Sequence, residues 1–265
     1  MSPPDILLRI TERRRQRIAE VGGADASAWP EGAPRTPSDS AFLGRLRAMR
    51  RDPAIIAEVK MGSPRLGSLH GRVDPIAQAE LYAATGAAAL SVVVEPDFFH
   101  GGYDLLAACR AASGLPAIAK DFIVDPVQLT WARDAGADAI LLIAALYEPE
   151  EMARYARLAR GLGLVPLVET HDAADIAKLG GEPWEMVGIN NRNLRTFDVD
   201  LERSIALLAG LPREAVKVAE SGIRDGLDVA LLAESGFDAF LIGETLLLAE
   251  DPAARLRELL IGAEV

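Results

Sequence analysis

Short apolar runs recur along the chain, ending near Lys60, Val94, Lys120, Ile143, Val168, Asn190, Ala219 and Ile242, at intervals of 22 to 34 residues. Each interval has room for a loop, a helix and a return turn, which together make one strand–helix unit. The stretches between the runs carry helix signals. Asp125-Pro126 offers a cap followed by a proline at the first helical position. Gly136 and Gly236 stop two other helices, each followed by one residue and then an aspartate, Asp138 or Asp238, before the next apolar run. Ahead of this rhythm, Ile6, Leu7, Ile10 and Ile18 predict a helix over 5–21, its apolar side interrupted by Arg13 to Arg15. Residues 22–40, rich in Gly, Ala, Pro and Ser, read as a loop. A second short helix over about 39–50 then leads into the first strand-like run, Ile55 to Lys60.

Eight alternations of strand and helix predict an α/β fold with a parallel sheet. A doubly wound sheet would need a reversal of strand order, which periodicity cannot display. Eight units behind a helical prefix fit a closed (β/α)8 TIM barrel, and barrels of roughly 250 residues form a single domain. The expected organisation is a helical extension and linker over 1–51 and a barrel over 52–265, one structural domain overall.

In such a barrel the active site lies in the loops after the C-terminal strand ends. Residues two apart on a strand share a face, so Glu58 and Lys60 point with Ile56, and Lys120 with Ile118. Glu169, Asn190 and Glu220 close the fifth, sixth and seventh strands. If the apolar partners face inward, two lysines, three glutamates and an asparagine converge on one rim. A polar residue at one strand end is ordinary, since strand ends meet water; five ionisable groups in phase at the same end point to a site. A lysine partly withdrawn from water has a lowered pKa, and a glutamate can be tuned either way. Such a set can deliver and remove protons near neutrality. Schiff-base formation by Lys60 or Lys120 is a competing use.

The last two loops, Glu220-Ser221-Gly222-Ile223 and Gly243-Glu244-Thr245, lie where barrels often bind phosphate through backbone N–H groups. Gly222 and Gly243 allow a close backbone approach to an anion. A third loop, Gly62 to Gly67, follows Lys60 and could close over a ligand.

Composition narrows the partners. Lys and Arg total 28 against 39 Asp and Glu, a net charge of −11, which discourages nucleic acid and anionic membranes as partners. It says nothing of the sign inside one cleft. The longest apolar run, Ala139 to Tyr147, is half of the ~18 residues that a membrane span needs. The start of the chain has no secretory pattern, so a cytoplasmic protein is expected. Cys109 stands alone and is expected to be a small buried hydrophobe on a helix. His70, His100 and His171 lie far apart without metal-ligand spacing, so no metal site is expected.

Glu58-x-Lys60 followed by Ser63-Pro64, then Lys120-Asp121-Phe122 and Leu167-Val168-Glu169-Thr170-His171, form a distinctive series with Gly188-Ile189-Asn190-Asn191-Arg192, Ala219-Glu220-Ser221-Gly222 and Leu241-Ile242-Gly243-Glu244. In this order, and over residues about 5 to 260, the series resembles the indole-3-glycerol-phosphate synthase family of tryptophan biosynthesis. The resemblance implies a carbon–carbon lyase (a carboxy-lyase). It would close the ring of 1-(2-carboxyphenylamino)-1-deoxyribulose 5-phosphate to indole-3-glycerol phosphate, releasing carbon dioxide and water without metal or cofactor. By the same resemblance Lys120 is the general acid at the substrate carbonyl, and Glu169 is the acid/base group of the later dehydration. Lys60 would hold the benzoate carboxylate, and the division of acid roles between the two lysines stays open. Glu58, Asn190 and Glu220 would orient these groups and bind hydroxyls, with Ser221 assisting. Ser63 and Arg192 would hold the anionic substrate near the first loop. Phe122 and Leu141 would wall its aromatic ring, and Gly222, Gly243 and the Glu244 backbone would cradle the phosphate.

The chain departs from the family pattern at Met61-Gly62, where a basic residue is common, at Arg65-Leu66, and at Asn193, where Asp is usual. None of these removes a catalytic group, and Arg65 is the candidate substitute for the missing charge. The only expected partner is a small phosphorylated aromatic substrate, with the chain a monomer or weak homodimer. The competing readings are another phosphosugar barrel, such as an isomerase of aminated ribulose phosphates, and a phosphate-ligand binding protein without chemistry.

Overall fold

The computed structural model describes residues 5–22, 40–49, 53–64, 67–193 and 198–262. Its eight parallel strands are β1 (Ala54–Val59), β2 (Ala89–Val93), β3 (Ala117–Lys120), β4 (Ala139–Ile143), β5 (Val165–Thr170), β6 (Met186–Asn190), β7 (Val216–Glu220) and β8 (Ala239–Ile242). Each pairs with its neighbours in chain order, and β1 pairs with both β2 and β8. Ile56 lies opposite Ala89 on one side and Leu241 on the other. That closure excludes the doubly wound alternative. The expected runs stop within two residues of the observed strand ends; β5 runs furthest past its expected end, to Thr170.

Alternation along the strands divides the core into two shells. Ile56, Ile118, Leu141, Leu167, Val218 and Leu241 fill the barrel interior, joined by Phe42, Leu43 and Leu46 from helix α2 (Ala41–Ala48). Their neighbours Ile55, Leu90, Ile140, Val168, Val187 and Phe240 face outward into the helical layer. Each such side chain contributes about 1.5–3 kcal/mol through removal from water. Behind α1 (Asp5–Val21) and α2, the helices are α3 (Pro75–Thr85), α4 (Tyr103–Ser113), α5 (Val127–Asp134), α6 (Pro149–Gly161), α7 (Ala173–Ala177), α8 (Leu201–Leu207), α9 (Gly226–Ser235), α10 (Glu244–Leu247) and α11 (Pro252–Ile261). Cys109 is fully buried on α4, as its apolar surroundings in the sequence predict. Asp125 and Pro126 start α5 one residue later than expected, with the Asp125 carboxylate accepting from the Val127 N–H at 2.8 Å.

The repeated Gly-x-Asp does more than stop a helix. Gly136 and Gly236 take φ of 83° and 111°, the left-handed turn that ends α5 and α9. The following aspartates then clamp the preceding strand. Asp138 donates its N–H to the Ala117 carbonyl and accepts the Ala117 N–H on its carboxylate. Asp238 does the same with Lys217.

Helix α1 has the expected bounds, but the arginines do not interrupt its buried face uniformly. Helical periodicity puts residue 14 on the side of 7, 11 and 18, and Leu7, Thr11, Arg14 and Ile18 are all buried. The Arg14 guanidinium bonds both oxygens of Asp121 beyond β3, at 3.1 and 2.5 Å. Arg13 and Arg17 reach Asp97, which fixes the helix to the loop after β2. The predicted loop falls almost wholly outside the described residues, as do the outermost residues of the second predicted helix, observed over Ala41–Ala48. Among the described residues no helix is long and apolar enough to cross a membrane.

Candidate active site

Period-two alternation carries the charged strand ends to the inner face of the barrel, where opposite charges alternate across its mouth. Lys60 Nζ lies 2.8 Å from Glu58 Oε1, and Lys120 Nζ lies 3.2 Å from Glu58 Oε2 and 3.7 Å from Glu220 Oε2. The carboxyl groups of Glu220 and Glu169 interact in turn. Glu169 Oε1 is 3.1 Å from His171 Nε2, and His171 Nδ1 is 3.4 Å from Asp175 Oδ2 at the start of α7.

Two glycines make this string possible. Gly188 on β6 lies opposite Glu169 and Val218 in register. A Cβ there would overlap Glu220 Oε1, so its absence lets carboxylates from β5 and β7 meet across the intervening strand. At Gly243, a Cβ would overlap Glu58 Oε1. Gly243 thus makes room for a carboxylate of the protein itself, in addition to the ligand role read from its position. Gly243→Ala is expected to push the Glu58 carboxylate off both lysines and lower kcat at least tenfold. Steady-state kinetics with a thermal melt as fold control check this.

The charge states follow from the packing. Burial would raise the Glu58 pKa, but Lys60 and Lys120 draw it down to about 2. Burial alone would lower Lys120, yet Glu58, Glu220 and Glu169 together raise it above its ordinary value. This corrects the expectation of a lowered lysine pKa for Lys120: it stays an ammonium, the form that donates a proton and not the form that attacks a carbonyl. For Glu220, burial and then the neighbouring Glu169 push the pKa upward. Burial opposes ionisation of Glu169 as well, but His171 and Lys120 hold it below the usual carboxylate range.

A cavity of about 890 Å³ opens over this rim. Glu58, Lys60, Ser63, Lys120, Phe122, Leu141, Glu169, Asn190, Arg192, Ser221, Gly222, Gly243 and Glu244 all line it, so thirteen of the fourteen residues singled out from the sequence converge. The exception is Glu220, which is fully buried behind the lysine it pairs with. One end of the cavity suits an anion. Ser221 and Gly222 both adopt left-handed backbone, with φ of 65° and 74°, and the Asn191 side chain donates to the Ser221 carbonyl at 2.7 Å. Thr245 Oγ1 donates to the Ile223 carbonyl, joining the loop after β7 to α10, which begins without a side-chain cap. Arg192 Nη2 reaches across to Glu244 Oε2 at 3.4 Å.

The other end is apolar, and here the sequence reading was incomplete. Phe99 stacks tilted on Phe122 with ring centroids 5.7 Å apart. Its loop is ordered by the buried Glu95 carboxylate, which accepts the N–H groups of Asp97, Phe98 and Phe99. Ile6, Leu7 and Ile10 of α1 complete the wall. Their spacing marks a buried stripe and carries no sign of what it covers. His171 stands two residues beyond Glu169, in phase with it, and that spacing was a legible signal.

The first loop accounts for one of the departures. A Cβ on Gly62 would lie 2.5 Å from the His100 ring and 2.8 Å from the Gly67 carbonyl, so the hairpin of Gly62–Ser63 with Gly67–Ser68 closes only over a glycine. Arg65 and Leu66 lie outside the described residues. Although far apart in the chain, His70 and His100 meet edge to face at 5.9 Å. Among the described residues no three His, Cys, Asp or Glu side chains are grouped to hold a metal.

A (β/α)8 barrel with lysines and carboxylates interlocked at its C-terminal mouth, beside an aromatic wall, defines the class of (β/α)8-barrel enzymes. The chain belongs to the indole-3-glycerol phosphate synthase family, whose model matches residues 7–259. It is 43% identical over 260 residues to the indole-3-glycerol phosphate synthase of Azoarcus sp. (strain BH72), covering 96% of this chain and 98% of the relative. It is 41% identical over 267 residues to that of Variovorax paradoxus (strain S110), covering 97% and 99%. Among solved structures, 3-hexulose-6-phosphate synthase from Salmonella typhimurium shares the fold at 16% identity and a TM-score of 0.62, over 80% of this chain and 98% of that one. Thiamine phosphate pyrophosphorylase from Pyrococcus furiosus does so at 14% identity and a TM-score of 0.60, over 84% and 98%.

Proposed function

We propose that the protein is an indole-3-glycerol phosphate synthase, closing the ring of 1-(2-carboxyphenylamino)-1-deoxyribulose 5-phosphate by general acid/base catalysis without metal. The observation that carries this reading is the Lys120 ammonium, held between Glu58 and Glu220 on the wall of a cavity that is aromatic at one end and N–H-rich at the other. The substrate's phosphate sits at Ser221, Gly222 and the start of α10, and its ring lies against Phe122, Leu141 and Phe99. Lys60 takes the benzoate carboxylate, with Ser63 and Arg192 beside it.

The ring carbon that bears the carboxylate attacks the ketone carbon. Its oxygen becomes an alkoxide, a base comparable with hydroxide and far stronger than a lysine amine. Lys120 can therefore protonate it despite the carboxylates that strengthen its hold on the proton. Loss of carbon dioxide returns the bonding electrons to the ring. The Glu169 carboxylate then takes a proton from the ring CH2 carbon beside the nitrogen, and the hydroxyl leaves as water with a proton from one of the two lysine ammonium groups, while Asn190, Glu58, Glu220 and Ser221 hold the reacting groups in place. The chain works as a cytoplasmic enzyme on a small molecule, with no nucleic-acid or membrane partner, as a monomer or weak homodimer.

Purified protein mixed with this substrate in the presence of a chelator should develop the fluorescence of the indole product. A folded protein that gives no turnover defeats the proposal.

A further inference from the structure

We infer that His171 is a positioning residue for Glu169: clamped between Glu169 and Asp175, its ring orients the Glu169 carboxylate and keeps the proton of the carboxyl pair on Glu220. His171 does not line the cavity, so it acts through Glu169 and not on a ligand.

The geometry sets the charge of the ring. Nε2 faces Glu169 at 3.1 Å and Nδ1 faces Asp175 at 3.4 Å. A neutral imidazole has one N–H and one lone pair, so one of these carboxylates would meet a lone pair. The two contacts are ion pairs without aligned hydrogen bonds, and only the imidazolium is attracted to both carboxylates at once. Burial opposes that charge, but Asp175 and Glu169 outweigh it and raise the pKa to about 10.

The clamp is fixed on every side. The Asp175 carboxylate accepts the backbone N–H of His171 at 3.1 Å, and Lys178 Nζ lies 3.7 Å from its other oxygen. Lys178 is tied in turn to the Ala144 carbonyl beyond β4. From α8, Arg203 donates to the His171 carbonyl at 3.1 Å. On the cavity side, Glu169 meets Lys120, Asn190 and Glu220. Lys120 is already shared between Glu58 and Glu220. With the imidazolium removed, two buried carboxyl groups would compete for one proton with little to favour either.

This inference rests on Glu169 being the acid/base group of the proposed reaction, and its test has an arm that needs no turnover. Protein labelled with 13C at the glutamate side-chain carboxyl carbons is titrated by NMR, the Glu169 resonance being assigned by its loss in Glu169→Gln. In His171→Gln, which keeps a polar side chain without charge, Glu169 should titrate about one pH unit or more higher than in the wild type. Removing a cation raises a carboxylate pKa, so the acidic limb of the kcat–pH profile should move alkaline with it, while KM stays within about twofold. His171→Asn removes the same charge with a shorter polar side chain; it should move Glu169 in the same direction, and it carries the test if His171→Gln does not fold. An unchanged Glu169 titration overturns the inference. An inactive wild type with the NMR shift present overturns the proposed reaction and leaves the clamp standing.

Discussion

Lys120→Met is expected to lower kcat by at least the 10²–10⁴-fold that a positioned general acid contributes, while a substrate analogue lacking the ketone still binds within a few-fold of wild type. Methionine keeps the length and apolar stem of the side chain and removes only the ammonium. The loss should fall on kcat because in the proposed reaction Lys120 meets the developing alkoxide, whereas the carboxylate would be held by Lys60 and the phosphate by the loops after β7 and β8. The fold should survive. Glu58 retains Lys60 at 2.8 Å, and Glu220 is the carboxyl that burial and Glu169 keep protonated. Product fluorescence measures kcat and equilibrium titration measures analogue binding; unchanged turnover removes Lys120 from its assigned role.

Arg14→Met should have the largest effect on stability. Arg14 and Asp121 form a doubly bonded ion pair with both side chains almost wholly removed from water. Truncating one partner of such a pair costs about 3–5 kcal/mol, because the surviving charge stays buried. Against a total of about 5–15 kcal/mol for a typical domain, that is a large fraction. Asp121 still accepts from the Tyr103 hydroxyl, the Gln128 amide and the Phe122 N–H, which places the loss near the lower end of that range. The same change loosens the anchor of α1, which carries Ile6, Leu7 and Ile10 to the cavity, so KM should rise as well. Denaturant unfolding measures the first effect. The double variant Arg14→Met/Asp121→Asn should recover part of the stability, since it removes the stranded charge. An unchanged midpoint for Arg14→Met would refute the account.

These residues also mark where reading the chain stops. Glu58, Lys60, Lys120, Glu169, Asn190 and Glu220 could be assigned to one rim without coordinates. Successive side chains on a strand must point to opposite faces, and eight strand–helix units at similar spacing fit one parallel ring. Arg14 was misread because the sequence offers it as one of three adjacent arginines, and its acceptor is 107 positions away. Phe99 had no signal at all, since its place comes from a loop wrapped around the Glu95 carboxylate.

The sequence by itself determined the eight strand–helix units, their phase and the cast of charged groups at the strand ends, because alternation, helix stops and strand spacing are local properties of the backbone. Closure of the ring was seen only in the strand pairing. Only the tertiary structure decided which of those groups carry protons. A pKa depends on burial and on charges across space: Lys120 lies among three carboxylates instead of in an apolar niche, Glu220 behind it, and Glu169 against His171. It also decided that the helical prefix is a wall of the site, because one buried arginine ties it to the residue after Lys120.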